Sequence, residues 1–398
     1  MLKGVTGITD DSRKVEKGFI FVAIKGRTVD GNNYIDEAIK NGAIKVYKGD
    51  DSRQKLGELA SEFYGNPSDK LKIVGVTGTK GKTTTCHLIY HILTKLGKKV
   101  GLISSITTQG FHTTTPDVIL LNKELAEMVK KNYEFAVLEV SSHGIDQGRI
   151  AGIKFHVGVL TNIAPEHLDY HKTFKEYKRV KMSFVNSAKF KVISPKETDL
   201  DILPGKFNNL NVEAAIHAVE FLGISKEEAL EAVKSFKLPE GRLEEIRNDK
   251  GFRVFVDFAH TPDSLEAALK YLKSITKGRL ISVFGCAGER DPNKRPIMGK
   301  IASELCDIVV LTSEDPRTEK AEDIIKQIRS GVKTNLENIH DFIDRKKAIE
   351  FALKNAKKED TVAILGKGHE KSMNLDGIHE IPWSDREVVR EYLKESKR

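Results

Sequence analysis

The segment Gly75 to Thr85, GVTGTKGKTTT, has the composition and the order of a phosphate-binding loop. It follows an apolar run, Leu71 to Val76, and opens a helical pattern, Thr83 to Leu96. A strand, a glycine turn and a helix N-terminus in this order present backbone N–H groups to nucleotide phosphates. We predict that Lys82 contacts the β- and γ-phosphates and that the Thr83 hydroxyl ligates Mg²⁺, although valine replaces the first glycine of the general pattern.

An acidic side chain stands at the end of another apolar run in the same part of the chain. Glu139 lies near the end of the run Phe135 to Val140 and is followed by Ser141-Ser142-His143. Ligands of α/β proteins bind at the carboxyl edge of the sheet, and a carboxylate there commonly holds Mg²⁺ against a triphosphate. We therefore interpret Glu139 as a metal ligand rather than a surface charge.

The loop after the apolar run Val157 to Leu160 carries two histidines and two acids. Its sequence from Thr161 to His171 is TNIAPEHLDYH. A single histidine is usually structural, but this crowding after a strand favours a functional loop. Lys181 lies beyond the loop on the helical stretch Phe174 to Phe184, and its own sequence context gives it no distinction.

Four polar loops follow successive apolar runs in the last third of the chain. They contain glycine or proline beside charged residues, which is typical of binding loops at the carboxyl ends of strands. We predict that they form one binding face. The four loops are 256–263, 285–291, 314–317 and 366–370.

Alternating strand and helix patterns run through the whole chain and predict an α/β protein with three domains. Residues 1–70 form a small α/β domain, and residues 71–238 form a phosphate-loop domain with a largely parallel sheet. Residues 239–398 form a Rossmann-like domain that lacks the glycine fingerprint of a dinucleotide site. Besides the runs named above, the strand candidates are Phe19 to Ala23, Ala43 to Val46, Lys99 to Ile103, Arg253 to Phe258, Leu280 to Gly285, Asp307 to Leu311 and Thr361 to Leu365.

Composition argues against several other classes of protein. The 398 residues carry a formal charge of +8, but Lys and Glu are spread along the chain without an arginine stripe. We therefore expect a solvated surface and no nucleic-acid partner. The three cysteines, Cys86, Cys286 and Cys306, are too far apart in sequence to suggest a zinc site or a disulfide framework. Without a signal-peptide core or an apolar run of membrane length, we expect a cytoplasmic monomer with no membrane partner.

Nearly the whole chain resembles the Mur ligases, the ATP-dependent enzymes that form amide bonds in cell-wall synthesis, and among them the tripeptide synthetases. The resemblance rests on motifs that occur in the order typical of the family. They are Asp11-Ser12-Arg13, Phe21-Val22-Ala23, Asp30-Gly31, Gly78 to Thr83, Thr114-Thr115-Pro116, Glu139 to His143, His167 to His171, Gly241-Arg242, Asp257 to Asp263, Gly288 to Asp291, Asp315-Pro316-Arg317 and Gly366 to Glu370.

The resemblance implies that the three domains bind the UDP-sugar, ATP and the incoming amino acid, in that order. For the UDP portion it implies contacts from Ser12, Arg27 and Thr28. For the muramoyl-dipeptide it implies Thr114, Thr115, Ser141, Gln147 and Arg149. For ATP it implies Gly78, Thr79, Lys80, Gly81, Lys82, Thr83, Thr84, Asn211, Arg242 and Asp257. For the amino acid it implies Arg290, Asp315, Arg317, Gly366 and Glu370.

By the same likeness, the catalytic groups are Lys82, Glu139, His167, Lys181 and Arg242, and the metal contacts are Thr83, Glu139, His167 and Lys181. Lys181 falls at the carbamylated lysine of the family, where added CO₂ turns an ammonium into a carboxylate-like ligand for a second Mg²⁺. The chain departs from the family at Lys80, where Asn is usual. Its N-terminal domain and the segment between Lys181 and Phe207 are also shorter than in relatives.

The implied reaction joins a diamino acid, meso-diaminopimelate or L-lysine, to UDP-N-acetylmuramoyl-L-alanyl-D-glutamate. The donor carboxylate would attack the γ-phosphate of ATP, and the amine would then displace phosphate from the acyl phosphate. Asp315 stands where the diaminopimelate type usually has Asn, which favours lysine, whereas Arg317 favours diaminopimelate. The alternatives are a folylpolyglutamate-synthetase-like ligase, a pseudo-murein peptide ligase and a non-catalytic nucleotide-binding regulatory protein.

Overall fold

Parallel strands joined by helices make up most of the protein, as the alternating sequence pattern predicts. The computed structural model describes residues 2–26, 29–107, 114–195, 200, 202–334 and 336–395. The chain divides into two units: Met1–Asp199 with Asn209–Phe236, and Leu200–Asn208 with Lys237–Arg398. Within the described residues, no helix is long and apolar enough to cross a membrane.

The first unit begins with a small parallel sheet in the order β1-β2-β3. Its elements are β1 (Gly7–Thr9), β2 (Phe19–Val22), α1 (Ile35–Lys40), β3 (Lys45–Tyr47) and α2 (Ser52–Phe63). Short 3-10 helices cover Ser12–Lys14, Gly31–Tyr34 and Pro67–Asp69. Successive strand residues point to opposite faces, so Ile20 and Val22 pack in the apolar cluster of α2 while Phe21 packs in that of α1.

A five-stranded, fully parallel sheet forms the centre of the first unit, with the order β5-β6-β4-β7-β8. The elements of this part of the chain are β4 (Lys72–Thr77), α3 (Lys82–Lys95), β5 (Val100–Ile103), α4 (Val118–Lys130), β6 (Phe135–Glu139), α5 (Ser142–Asp146), β7 (Val157–Leu160), α6 (Leu168–His171), α7 (Phe174–Ser187), β8 (Phe190–Ile193), α8 (Phe207–Glu220) and α9 (Lys226–Val233). Because the strands are parallel, the loops after β4, β5, β6 and β7 emerge at the same edge.

The helix that carries Lys181 begins at a sequence signal. At the start of α7, the side chain of Thr173 accepts a hydrogen bond from the backbone N–H of Glu176. The buried residues of α7 are Tyr177, Val180, Lys181, Phe184 and Val185. Their spacing of three and four residues is that of an amphipathic helix, so the buried face of α7 carries a lysine among apolar side chains.

The second unit is built on a six-stranded sheet in the order β13-β12-β11-β14-β10-β9, parallel except for β9. Its elements are β9 (Glu244–Glu245), β10 (Arg253–Asp257), α10 (Pro262–Ile275), β11 (Leu280–Phe284), α11 (Lys294–Leu305), β12 (Ile308–Thr312), α12 (Ala321–Arg329), a 3-10 helix (Leu336–Asn338), β13 (Ile339–Phe342), α13 (Arg345–Asn355), β14 (Thr361–Leu365), β15 (Ser372–Asn374), β16 (Glu380–Pro382) and α14 (Asp385–Glu395). Strands β15 and β16 form a separate antiparallel hairpin. Two apolar clusters cover the large sheet, as in a doubly wound fold.

Strands β7 and β14 coincide with the predicted runs, and the ends of the other predicted strands differ by one or two residues. The α/β class and the largely parallel sheets are confirmed, whereas the domain limits at residues 70 and 238 stay predictions. The sequence pattern did not indicate the edge strands β8 and β13, each of which buries a single residue. Each of these strands is only four residues long, and a run that short does not show a periodicity that distinguishes it from a loop.

Candidate active site

The phosphate loop is held by neutral hydrogen bonds from the loop that follows β7. The backbone N–H of Thr79 donates to the Asn162 carbonyl at 3.1 Å, and that of Lys80 donates to Asn162 Oδ1 at 2.9 Å. The Thr161 hydroxyl donates to the Lys80 carbonyl at 2.6 Å. Gly81 begins α3 with φ of +82°, and a Cβ there would lie 2.1 Å from Asn211 Oδ1. Glycine therefore permits both the turn and the close approach of α8, which brings Asn211 beside the loop.

The Lys82 ammonium lies over this loop. Its Nζ donates to the carbonyls of Gly78 and Thr79, each at 3.0 Å. The loop and the first turn of α3 also bury the hydroxyl residues Thr79, Thr83 and Thr84. A lysine bonded only to loop carbonyls can exchange them for phosphate oxygens without leaving an anionic partner behind. The position therefore fits the predicted phosphate contact.

A hydroxyl and a carboxylate form a pair at the edge of the sheet beside the phosphate loop. Thr83 Oγ1 donates to Glu139 Oε1 at 3.0 Å, while the backbone N–H and the hydroxyl of Ser105 donate to Glu139 Oε2 at 3.0 and 3.1 Å. Oxygen ligands of this kind suit Mg²⁺, which also uses phosphate oxygens and water. Ser105 was not predicted, although its place just after β5 satisfies the same strand-end rule that identified Glu139.

His167 lies in the loop after β7 in a left-handed backbone conformation, with φ of +57°. Its ring packs against His143 with a centroid separation of 4.8 Å, and its Nε2 lies 3.9 Å from a carboxylate oxygen of Glu166. Desolvation, assisted by His143, Lys82 and Lys181, lowers the pKa of His167 to about 4 even though Glu166 acts in the opposite direction. The imidazole is therefore neutral at pH 7, as a metal ligand must be.

No three His, Cys, Asp or Glu side chains converge on one metal position within the part of the chain that the structure describes. The donor set nevertheless fits a Mg²⁺ ion that is shared with substrate phosphates, because such an ion needs only one or two carboxylates from the protein. Thr83 and Glu139 supply that minimum.

Lys181 is 1% exposed and contacts the floor of the phosphate loop. Its Nζ donates to the Gly78 carbonyl at 2.8 Å and to Thr77 Oγ1 at 3.2 Å, and it lies 4.8 Å from the centre of the Tyr177 ring. Burial lowers the pKa of Lys181 well below its usual value, and the nearby charge of Lys82 adds to the effect. The side chain is therefore a buried amine with an enlarged neutral fraction, next to the predicted phosphate site.

An ion pair that was not predicted joins the phosphate loop to the loop after β7. Lys80 Nζ lies 2.5 Å from Glu166 Oε1, with the two side chains 32% and 13% exposed. The sequence identified Lys80 as a departure from the family but gave no indication of its partner, 86 residues away. Glu166 thus faces a lysine of the phosphate loop on one side and His167 on the other.

The predicted dipeptide contacts form one connected cluster beside β6. Thr115 Oγ1 donates to the Glu139 carbonyl at 3.1 Å and accepts from the backbone N–H of Ser141 at 2.9 Å. Arg149 donates to the Thr115 carbonyl at 2.8 Å and to Gln147 Oε1 at 2.6 Å. Thr114, next in sequence, is half-buried. These residues can therefore act on one ligand.

Ser12, the one predicted UDP contact within the described residues, lies apart from this dipeptide cluster. The Ser12 hydroxyl is buried in the small sheet domain and donates to Glu37 Oε2 at 2.6 Å. Arg27 and Thr28 lie outside the described residues. Arg53, which was not predicted, connects α2 to the cluster by donating to the Gln147 carbonyl at 3.0 Å.

In the second unit, Arg242 and Asp257 lie on adjoining segments. Asp257 Oδ2 accepts from the backbone N–H of Leu243 at 2.7 Å, which ties the end of β10 to the segment that holds Arg242. The Arg242 guanidinium lies 4.7 Å from the centre of the Phe258 ring and 3.2 Å from His369 Nδ1. The cation and the carboxylate predicted to contact ATP are thus neighbours at the carboxyl end of the sheet.

Three of the four loops predicted to form a binding face, which we call the acceptor loops after their predicted role and define as residues 285–291, 314–317 and 366–370, lie against one another. The backbone N–H of Gly288 donates to the Asp315 carbonyl at 2.8 Å, and a Cβ on Gly288 would lie 2.0 Å from the Pro316 carbonyl oxygen. Lys367 Nζ bonds both carboxylate oxygens of Asp315, at 2.8 and 2.9 Å, and also pairs with Glu370. Arg290 is exposed at the rim. All five predicted acceptor residues therefore belong to one loop cluster.

A fully buried ion pair supports the acceptor loops from below. Arg345 donates to Asp385 at 2.8 and 2.7 Å, and neither side chain is exposed. The same guanidinium donates to the carbonyls of Ser313, at 3.2 Å, and Leu365, at 2.9 Å. These carbonyls immediately precede two of the three loops. Sequence reasoning missed Arg345, whose only signal was its position as the first residue of a helix.

Glu314 is buried between these charges. Desolvation raises its pKa to about 7, although Lys294, Lys367 and Arg345 oppose the rise. Its Oε2 has no hydrogen-bond partner among the described residues. Gly366 has φ of +108°, a backbone conformation that favours glycine, and a Cβ there would lie 2.8 Å from that oxygen.

A phosphate loop at the edge of a parallel sheet, with a hydroxyl–carboxylate pair beside it, defines a nucleotide-dependent α/β enzyme. Family models agree: the Mur ligase family catalytic domain matches residues 4–71, the Mur ligase middle domain residues 76–201, and the Mur ligase glutamate ligase domain residues 241–368. The chain belongs to the Mur ligase family, whose members are ATP-dependent, amide-bond-forming ligases.

Full-length relatives share this assignment. The chain is 38% identical over 459 aligned positions to the UDP-N-acetylmuramoyl-L-alanyl-D-glutamate--2,6-diaminopimelate ligase of Aquifex aeolicus, covering 99% of this chain and 94% of that protein. The alignment has more positions than this chain has residues, so the relative contains segments that this chain lacks. A solved structure of a ligase of that name has a TM-score of 0.66 at 29% identity, covering 99% and 96% of the two chains.

A more distant structure shows the fold alone. It is a MurF ligase from Thermotoga maritima in complex with ADP, with a TM-score of 0.64 at 20% identity, covering 99% of this chain and 98% of that one.

Proposed function

We propose that this protein is the ATP-dependent ligase that adds a diamino acid to UDP-N-acetylmuramoyl-L-alanyl-D-glutamate. The observation that carries the proposal is the Thr83–Glu139 pair beside Lys82, which fits a nucleotide triphosphate at the edge of the parallel sheet. The Aquifex aeolicus relative aligns over nearly the whole of both chains, and its name supports UDP-N-acetylmuramoyl-L-alanyl-D-glutamate as the donor and a diamino acid as the acceptor. The protein acts as a cytoplasmic monomer in this proposal.

The chemistry requires stabilisation of negative charge at each step. The donor carboxylate attacks the γ-phosphate of ATP and ADP leaves, and the acceptor amine then attacks the acyl phosphate, loses a proton and releases phosphate. Lys82 and Arg242 hold the charge that spreads over the transferred phosphoryl group. Thr83 and Glu139 would hold Mg²⁺, which would supply positive charge to the phosphate oxygens. The cluster of Thr115, Ser141, Gln147 and Arg149 orients the dipeptide carboxylate.

Lys181 is carbamylated in the active enzyme under this proposal. A neutral lysine amine adds to CO₂ and releases one proton, which leaves a carbamate anion. Burial favours the neutral amine that this step needs, and the low pKa of Lys181 supports the assignment. The carbamate and the neutral imidazole of His167 would hold a second Mg²⁺.

The first experiment measures phosphate release by the purified protein with UDP-N-acetylmuramoyl-L-alanyl-D-glutamate, ATP and Mg²⁺, with each of a panel of amino acids. Release that depends on both the donor and meso-diaminopimelate or L-lysine is the expected result. Release with folate and glutamate would support the folylpolyglutamate alternative. Nucleotide binding without any acceptor-dependent turnover would support the regulatory alternative.

The second experiment tests Lys181. Lys181→Ala should abolish ligation, and short carboxylic acids added to the assay should restore part of it by replacing the missing carbamate. Intact-mass measurement of the parent under CO₂ should show one added CO₂ that the variant lacks. Full activity of Lys181→Ala, or a parent that ligates without the modification, would rule the carbamate out.

Meso-diaminopimelate is the acceptor that this proposal favours. The Aquifex aeolicus relative carries 2,6-diaminopimelate in its name, and Arg317 offers a guanidinium that can bind a carboxylate bidentately. Asp315, which as an isolated charge favours lysine, is paired with Lys367. Comparing kcat/KM for both amino acids in the parent decides between them.

A further inference from the structure

The Lys367 ammonium lies between the two acidic residues of the acceptor loops. It bonds both oxygens of Asp315 and pairs with Glu370, and its side chain is only 2% exposed. Burial works against its charge, but Glu370 and Asp315 outweigh burial and raise the pKa of Lys367. Two carboxylates therefore share one buried cation at the place where the acceptor binds under the proposed function, so that Lys367 offsets one of the two negative charges.

The Asp315 carboxylate also has a hydrogen-bond donor from the backbone. Its Oδ1 accepts a hydrogen bond from the backbone N–H of Asn374 at 3.0 Å, in addition to the bond from Lys367. With a bidentate cation and a backbone donor in place, the carboxylate is neutralised within the protein. It does not add a net negative charge to the loops, as the sequence alone suggested.

The charge of Arg317, unlike that of Asp315, is not paired with an opposite charge among the described residues. Its guanidinium has no ion-pair partner in that part of the chain, and its backbone N–H donates a hydrogen bond to the Asn374 carbonyl at 3.2 Å. The backbone has φ of +54°, an uncommon value for a residue with a side chain. The loop therefore holds Arg317 in a strained backbone conformation, and the charge of its half-buried guanidinium is available to a ligand.

We propose that Lys367 is a specificity-determining residue, which neutralises Asp315 so that the acceptor loops select a zwitterionic amino-acid end over a cationic one. This inference rests on the proposed function. The distal end of meso-diaminopimelate carries an ammonium and a carboxylate and has no net charge, whereas the distal end of lysine is a cation. A site in which Lys367 offsets the charge of Asp315 and in which Arg317 is available favours the first of these.

The charge balance gives an experiment with four proteins: the parent, Lys367→Met, Asp315→Asn, and the double variant Asp315→Asn/Lys367→Met. The measured quantity is the ratio of kcat/KM for meso-diaminopimelate to kcat/KM for L-lysine, at saturating ATP and donor. Lys367→Met keeps the length of the side chain but leaves two uncompensated carboxylates, so the ratio should fall about tenfold or more. Asp315→Asn adds net positive charge, so the ratio should stay or rise.

The double variant separates charge compensation from a merely structural role. It removes one negative and one positive charge together, so its ratio should return to within about threefold of the parent value. Lys367→Arg, which keeps the charge, should stay closer to the parent than Lys367→Met does. The KM for ATP should change little in every variant, because the substitutions act on the acceptor.

Three results would overturn the inference. The first is an equal loss of kcat/KM for both amino acids in Lys367→Met. The second is a double variant whose ratio is no higher than that of Lys367→Met. The third is a fall in the ratio for Asp315→Asn. If Lys367→Met does not fold, the double variant and Asp315→Asn are each compared with the parent. A ratio for the double variant more than about threefold below that of the parent, or a fall in the ratio for Asp315→Asn, then overturns the inference. Lys300→Met, which removes an exposed partner of Glu304 on α11, is the matched control and should leave the ratio unchanged.

The proposed function fails in a different way. If the parent releases no phosphate with either amino acid in the presence of the donor, then the ligase assignment is wrong and the inference falls with it. If the parent ligates one or both amino acids while the ratios do not follow the charges, only the role of Lys367 is wrong.

Discussion

The phosphate loop of the first unit and the acceptor loops of the second unit are held in place by different interactions. Neutral hydrogen bonds from Thr161 and Asn162 hold the backbone of the phosphate loop, and Lys82 bonds only to carbonyls. The acceptor loops are held by ion pairs, Arg345–Asp385 beneath them and Lys367–Asp315 between them. The first region is held by neutral hydrogen bonds together with the partly exposed Lys80–Glu166 ion pair, whereas the second is held by ion pairs whose cations are buried.

This difference has a consequence for mutations. Removing the charge of Lys82 removes the proposed phosphate contact and two hydrogen bonds to loop carbonyls, but it leaves no buried ion without compensation. Removing a charge from the acceptor loops leaves a buried partner without compensation, which costs stability and alters selectivity at once. The two regions should therefore respond differently when activity and stability are both measured.

The largest effect should come from Lys82→Ala. We expect kcat to fall on the order of a thousandfold, or several kcal/mol, because the ammonium stabilises charge in phosphoryl transfer. The melting temperature should stay near that of the parent. Phosphate release and thermal melting measure the two quantities, with Lys95→Ala at the exposed end of α3 as the control. A variant that turns over normally, or that melts much earlier, would contradict the contrast between the regions.

The next effect should come from the buried ion pair. Arg345→Met should lower the free energy of unfolding by about 3–5 kcal/mol, because Asp385 is left buried and uncompensated. Arg329→Met is the matched control, since Arg329 pairs with Asp341 on the surface and should cost about 1 kcal/mol or less. Urea unfolding measures both. Similar losses for the two variants would show that ion pairs do not hold the acceptor loops.

Part of that stability should be recoverable without the charges. The double variant Arg345→Met/Asp385→Leu removes both ions together and should be more stable than Arg345→Met alone. It also loses the bonds from Arg345 to the Ser313 and Leu365 carbonyls, so the KM for the amino acid should rise while the KM for ATP does not. An unchanged KM for the amino acid would mean that Arg345 does not position the loops.

Glu314 should make the stability depend on pH. Its folded pKa of about 7 lies above the ordinary 4.5, so between these values the unfolded chain loses a proton that the folded chain keeps. The parent should therefore lose stability as pH rises from 4.5 to 7, by on the order of 3 kcal/mol, with no further loss above 7. Glu314→Gln should remove that loss. Urea unfolding at several pH values tests it, and a variant with the parent's pH profile would refute the assignment.

The smallest effect should come from the ion pair between Lys80 and Glu166, which fastens the phosphate loop. Lys80→Asn removes a partly exposed pair with Glu166 and should change stability by about 1 kcal/mol or less. The KM for ATP should change only a few fold, because Thr161 and Asn162 still hold the loop. A loss of stability as large as that of Arg345→Met would remove the distinction between the two regions.

The sequence predicted the elements that are buried on both sides. Strands β7 and β14 match their predicted runs because a central parallel strand is buried from end to end. The edge strands β8 and β13 and the hairpin β15–β16 escaped prediction because each is only three or four residues long and partly exposed, which is too short to show a clear pattern. At the site, Lys82, Thr83 and Glu139 could be predicted from strand ends and from glycine spacing. Ser105 follows the same rule, whereas Glu166 and Arg345 have no such local signal as ion-pair partners.

The sequence by itself determined the alternation of strands and helices, the phosphate loop and the family, because these depend on neighbouring residues and on hydrophobic periodicity. Only the tertiary structure decided which charges compensate each other. Lys367 and Asp315 are 52 residues apart, and Arg345 and Asp385 are 40 apart. Coulomb interaction depends on the distance between atoms and on burial, and neither follows from separation along the chain. Asp315 therefore suggested a net acid in the sequence and is a neutralised carboxylate in the fold.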